Sequence, residues 1–183
     1  MSTIQALATT QATAEAQATL AAVHSSLGVT PNLFRVAANS PAALNALVGL
    51  NGSLARGVLR AKVRESIALA VAQANGCDYC LSAHSALGKG AGLSDADLAA
   101  ARGGKAADPH TEAILGLARE IVRQRGAIGP DALGGAKAAG VSDAEIVEIV
   151  AHVALNVFTN YLNIVAGTDI DFPVVHAAEL AVV

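Results

Sequence analysis

Apolar residues recur three and four positions apart along nearly the whole chain, and no run alternates apolar with polar as a half-buried strand would. This spacing predicts helices over 11–27, 40–55, 60–75, 78–90, 94–102, 109–126, 130–139 and 142–166, and hence an all-α fold. Pro31, Pro41, Pro109 and Pro130 stand where helices begin, a place that suits a residue without an N–H. Gly76, Gly103, Gly104, Gly126 and Gly140 stand where helices end. The chain reads as one domain over 1–183, with an N-terminal helical flank (1–57), a core (58–170) and a tail (171–183). The tail is apolar and is either an arm lying on a neighbouring subunit or a packed terminus.

One segment occurs twice. AGLSDADL (91–98) and AGVSDAEI (139–146) share five residues in register, and each contains a helix capping box, Ser94 with Asp97 and Ser142 with Glu145. Either convergent capping or a duplicated helical unit produces such a pair.

Composition adds an expectation about assembly. Alanine dominates, aromatic residues make up 3% and Trp is absent, which favours closely packed helices but leaves a monomer with a thin core. Burial between subunits is the simplest remedy, so a homo-oligomer is expected. The net charge of −3, with 12 Lys and Arg residues dispersed, gives no reason to expect nucleic acid binding. Mean hydropathy is high at +0.47. Yet the most apolar segment, 145–158, carries Glu145, Glu148, His152 and Asn156, so no membrane span is expected. The start, MSTIQALATTQATAEAQ, lacks the basic and Leu-rich regions of a secretory signal. The expected location is cytoplasmic, where cysteines are kept reduced or cycled.

The two cysteines lie in NGCDYCLSAHSALG (75–88). With Cys77 at the start of a helix, Cys77, Cys80 and His84 fall within about 60° of one another, and Tyr79 points elsewhere. A thiolate at a helix start is stabilised by the positive helix end, which lowers a Cys pKa from ~8.5 towards ~3.5–7.5. His84, one turn further on, can take or return the Cys80 proton. Cys77 is expected to be the more open sulfur, with Cys80 one turn deeper. Glu65 shares a helical face with Leu69, Ala72 and Gly76, and a carboxylate there needs a partner. It lies ~15 Å of helix before the turn and His84 ~10 Å after it, so an antiparallel hairpin brings them within reach, directly or through one water. The plainer reading makes Glu65 a helix carboxylate beside Arg64 or Lys62.

Three chemistries fit a lone C-x-x-C. Zinc needs a fourth ligand, and Glu65 could serve, but three ligands on one helical stripe do not easily form a tetrahedron. A thioredoxin-type dithiol needs a strand leading into the motif, whereas an Ala-rich helix leads in here. Two inert packing thiols leave Glu65 and His84 together unexplained. On the last long helix, His152, Asn156, Asn160 and Asn163 form a polar stripe that satisfies backbone, meets an interface or lines the thiol pocket. His24, His110 and His176 stand alone and receive no chemistry.

The stretch ESIALAVAQANGCDYCLSAH resembles the AhpD-like alkylhydroperoxidase branch of the carboxymuconolactone decarboxylase family. That branch has a Glu twelve residues before a C-x-x-C and a His four after it, and Glu65, Cys77, Cys80 and His84 fall on those positions. GVTPNLFRVAANSPAAL (28–44) resembles the N-terminal flank of the peroxidase-related members, and EIVAHVALNVFTNYLNIVAGTDIDFP (148–173) their last core helix. The resemblance implies an AhpD-like all-α fold, trimers or hexamers, and thiol-dependent reduction of hydroperoxides. By the same resemblance Cys80 is the peroxidatic thiolate, Cys77 the resolving thiol, and Glu65 with His84 the proton relay. It implies no bound cofactor and no metal; in some members the reductant is dihydrolipoamide on a lipoyl-bearing protein. Position 79 is Tyr, where some hydroperoxidases of the family have His. The decarboxylase branch lacks the C-x-x-C, which counts against lactone chemistry. A redox-sensing module with low turnover and a zinc-binding structural module are the alternatives.

Overall fold

The computed structural model describes residues 2–177, and all regular structure among them is helical. After a short 3-10 turn at Thr9–Gln11 come α1 (Ala14–Leu27), α2 (Asn32–Ala37), α3 (Pro41–Leu54), α4 (Ala61–Asn75) and α5 (Asp78–Gly90). They are followed by α6 (Asp95–Arg102), α7 (Pro109–Arg123), α8 (Pro130–Ala138) and α9 (Asp143–Ala166). The boundaries follow local chemistry. Thr13, Ser40, Ser94, Asp108 and Ser142 each accept a first-turn backbone N–H at a helix start. Gly76 ends α4 in the left-handed region at φ 68°, which turns the chain directly into Cys77.

Helix α4 is the centre of the molecule. Residues 66–72 are buried without a break, so this helix is enclosed on all sides by α5, α6, α7 and α9. Ala68, Ala70 and Ala72 let the neighbours approach closely, while Ile67, Leu69 and Val71 supply the apolar bulk. Truncating Leu69 or Leu81 to Ala would cost about 2–5 kcal/mol. A second apolar cluster joins α1, α2 and α3 to Leu155 of α9.

The duplicated segment has a structural counterpart. Ala61, Asn75, Gly90 and Ser94 bound or cap α4, α5 and α6, and each precedes by 48 residues Pro109, Arg123, Ala138 and Ser142, which do the same for α7, α8 and α9. The constant offset relates two three-helix units, of which only the first carries the cysteines. Helix α8 starts one turn later than α5 does in its unit.

Three elements differ from the sequence expectation. Helix α2 has only six residues, too few for periodicity to show, and Pro31 caps it. Helix α1 begins at Ala14 because Thr13 caps it, and α7 ends at Arg123 rather than 126. Helix α9 is, among the described residues, long and apolar enough to cross a membrane by length and composition. Half of its apolar window is buried in the protein, and its polar stripe faces the core, as expected of a core helix.

Candidate active site

The turn between α4 and α5 builds the site. Cys77 is the N-cap of α5, its sulfur accepting the Cys80 N–H at 3.2 Å. Cys77 and Cys80 form a disulfide with their Cα atoms 5.3 Å apart, within the ordinary range for such a bond. Cys77 is 1% exposed and Cys80 2%, so the expectation of a more open Cys77 is corrected. Its side chain folds back over the first turn into the main apolar cluster instead of projecting outward.

His84, one turn beyond Cys80, meets Glu65 directly: Nδ1 lies 2.8 Å from Oε2. No water is needed between them. Both side chains are partly exposed, His84 at 23% and Glu65 at 21%, whereas the two sulfurs are closed. Because Nδ1 is held by the carboxylate, Nε2 is the nitrogen left to exchange a proton with a thiol or a substrate. Arg64, the alternative partner for Glu65, donates to the Leu59 carbonyl at 2.6 Å.

The α9 stripe supplies the opposite wall. His152, Asn156, Asn160 and Asn163 are all buried. Asn156 donates to the His152 carbonyl at 2.8 Å, and Asn160 accepts from the Asn75 amide at 2.9 Å, next to the α4–α5 turn. Asn163 reaches the thiols, its Nδ2 lying 3.3 Å from Cys80 Sγ. His152 Nε2, Asn160 Nδ2 and Asn163 Oδ1 have no hydrogen-bond partner among the described residues. Burial, with the Arg64 charge, pushes the His152 imidazole below its ordinary pKa of 6.5, against the pull of Glu148 and Glu65. Among the described residues no three His, Cys, Asp or Glu side chains converge as a metal-ligand set.

Residues 41–124 match the model of the carboxymuconolactone decarboxylase family. They span the C-x-x-C, the Glu65–His84 pair and the central helix. The fold as a whole is AhpD-like. No curated protein matches it in sequence. Among solved structures it is similar to an alkylhydroperoxidase AhpD core, peroxidase-related protein of Ralstonia eutropha JMP134, with TM-score 0.83 and 20% identity over 93% of this chain and 92% of that one. A peroxidase-related protein of Silicibacter sp. TM1040 gives TM-score 0.77 and 22% identity, covering 91% of both chains. A Cys-to-Ala variant of the debrominase Bmp8 in complex with 2,3,4-tribromopyrrole gives TM-score 0.78 and 20% identity, over 92% and 91% of the two chains.

In this AhpD-like core Tyr79 faces away from the sulfurs. Its hydroxyl accepts the Leu33 N–H of α2 at 3.0 Å, and its ring stands edge-on to Phe172. Burial raises the phenol pKa above its ordinary value, so it stays a neutral hydroxyl. The tail from Asp171 to Ala177 packs on its own chain rather than standing free. Val175 N–H donates to Ser82 Oγ, Ala177 N–H to Asp78 Oδ1, and His176 meets Asp78 Oδ2 at 2.7 Å. Residues 178–183 of that tail lie outside the described residues. Sequence reasoning placed Asn163 on a polar stripe that satisfies backbone, meets an interface or lines the thiol pocket, and left His176 unassigned. The i, i+4, i+8, i+11 polar stripe on an apolar helix was the available signal for Asn163; none marked the His176 contact.

Proposed function

We propose that this protein is a thiol-dependent peroxidase that reduces hydroperoxides through a Cys77–Cys80 dithiol–disulfide cycle. The observation that carries the reading is the Glu65–His84 pair at 2.8 Å, with His84 one turn beyond a buried Cys77–Cys80 disulfide. The match of residues 41–124 to the family model and the AhpD-like fold support it.

In the first step the Cys80 thiolate attacks the terminal oxygen of the hydroperoxide. The O–O bond breaks, and the departing alkoxide takes a proton from the His84 imidazolium, giving Cys80 sulfenic acid and an alcohol. Glu65 holds the imidazole in place through Nδ1. The Cys77 thiol then attacks the sulfenic sulfur, and water leaves as the disulfide forms. A dithiol returns two electrons by thiol–disulfide exchange and becomes a disulfide itself. Dihydrolipoamide on a lipoyl-bearing protein is the proposed donor, and no bound cofactor takes part. The closed sulfurs require the α4–α5 turn to open for that exchange.

The active form is proposed to be a homo-oligomer, a trimer or hexamer. Val147, Val150, Tyr161 and Val165 expose an apolar face of α9 that a second copy would cover.

The deciding experiment treats the reduced protein with one equivalent of hydroperoxide and titrates its thiols. Both of the 2 thiols should disappear, return with dihydrolipoamide, and cycle in excess of both reagents. Persisting thiols would sink the proposal. Thiol loss without turnover would leave a redox sensor rather than an enzyme.

A further inference from the structure

We infer that Asn163 is the group that makes Cys80 the reactive sulfur, its carboxamide N–H stabilising the Cys80 thiolate from across the helix interface. The inference rests on the thiol chemistry proposed above and adds a residue to it.

Asn163 is 3% exposed and donates from Nδ2 to Cys80 Sγ at 3.3 Å, while its Oδ1 has no hydrogen-bond partner among the described residues. Burying a carboxamide with half of its capacity unused costs stability, so packing alone gives little reason to place one there. Against a disulfide sulfur, a weak acceptor, the N–H gains little. Against a thiolate the same N–H meets a full negative charge, and a hydrogen bond to an ionised partner is roughly twice as strong as a neutral one. A thiolate has no proton to give, so the amide must present its N–H rather than its oxygen. The contact is therefore stronger in the reduced, ionised state, which lowers the Cys80 pKa.

The two sulfurs are not treated alike. Cys77 accepts from the backbone N–H of Cys80, within its own helical turn. Cys80 accepts from a side chain 83 residues away, and it also has His84 one turn on. The neighbouring contact sets the register: Asn160, one turn before Asn163, accepts from Asn75 at the end of α4. That bond holds α9 against the turn carrying the cysteines and fixes where the Asn163 amide arrives.

The test uses the full chain in which Cys77→Ser leaves Cys80 as the one thiol. Thiolate formation is followed by ultraviolet absorbance against pH, and alkylation by iodoacetamide at neutral pH. Asn163→Leu and the isosteric Asn163→Asp should each reduce the neutral-pH thiolate fraction of Cys80 about tenfold or more, with Asp the stronger because its charge repels the thiolate. In the Cys80→Ser background the same changes should leave Cys77 within about twofold. If Asn163→Leu does not fold, the isosteric variant carries the test. An unchanged Cys80 titration in Asn163→Asp, or an equal loss at Cys77, overturns the inference. Neither readout involves peroxide, so a protein inert towards hydroperoxides would refute the proposed activity while Asn163 is still judged on its own.

Discussion

Glu65 and His84 meet at 2.8 Å, both partly exposed, while Cys77 and Cys80 are closed to solvent. Under the proposed mechanism this pair relays the Cys80 proton. Glu65→Gln and His84→Ala should each slow peroxide reduction by ~10²–10⁴, the range of acid–base catalysis. Helix content should persist, since Gln fills the same volume. Stopped-flow peroxide consumption beside circular dichroism checks this; full activity in both variants would make the pair structural.

The two sulfurs should be separable chemically. Cys77→Ser should trap a sulfenic acid at Cys80, seen as a dimedone adduct by mass spectrometry, because no resolving thiol remains. Cys80→Ser should stay unlabelled under the same mild peroxide. An adduct on Cys77 with none on Cys80 would reverse the assignment and show that the helix end outweighs His84 and Asn163.

Tyr79 serves the scaffold. Its hydroxyl accepts the half-buried Leu33 N–H, so Tyr79→Phe should cost about 1–2 kcal/mol by leaving that donor unsatisfied. Urea unfolding measures the loss, and the peroxide rate should hold. A fall in rate at unchanged stability would move Tyr79 into the reaction.

His152 should give the fold an acid-sensitive limb. Its native pKa lies below the ordinary 6.5, so the unfolded chain binds a proton there more readily than the folded one. Stability should be full above about pH 6.5 and decline as pH falls towards the depressed native value. In His152→Gln this part of the decline should vanish. Identical pH dependence of the urea midpoint in both proteins would contradict it.

Light scattering at micromolar concentration should give at least three subunits. Val165→Asp, on the exposed face of α9, should lower that number. A monomer of 18.2 kDa in the unsubstituted protein would refute the proposed assembly.

The sequence by itself determined every helix but the short α2, and the cysteine stripe, because caps, prolines, glycines and a 3.6-residue period act within one or two turns. Cys77, Cys80 and His84 share one helix, so their spacing alone put them on one side. Even the Glu65–His84 contact was within reach, since a short turn joins two adjacent antiparallel helices of known rise. What the tertiary structure decided are contacts whose partners lie far apart in the chain. Asn163 reaches Cys80 across 83 residues, and Ala177 is tied to Asp78 across 99. The closure of Cys77 belongs to the same class, since it depends on which helices pack over the turn. No local pattern encodes these distances; they follow from how α4, α5 and α9 settle against one another, and that packing brings the polar stripe of α9 to the sulfurs.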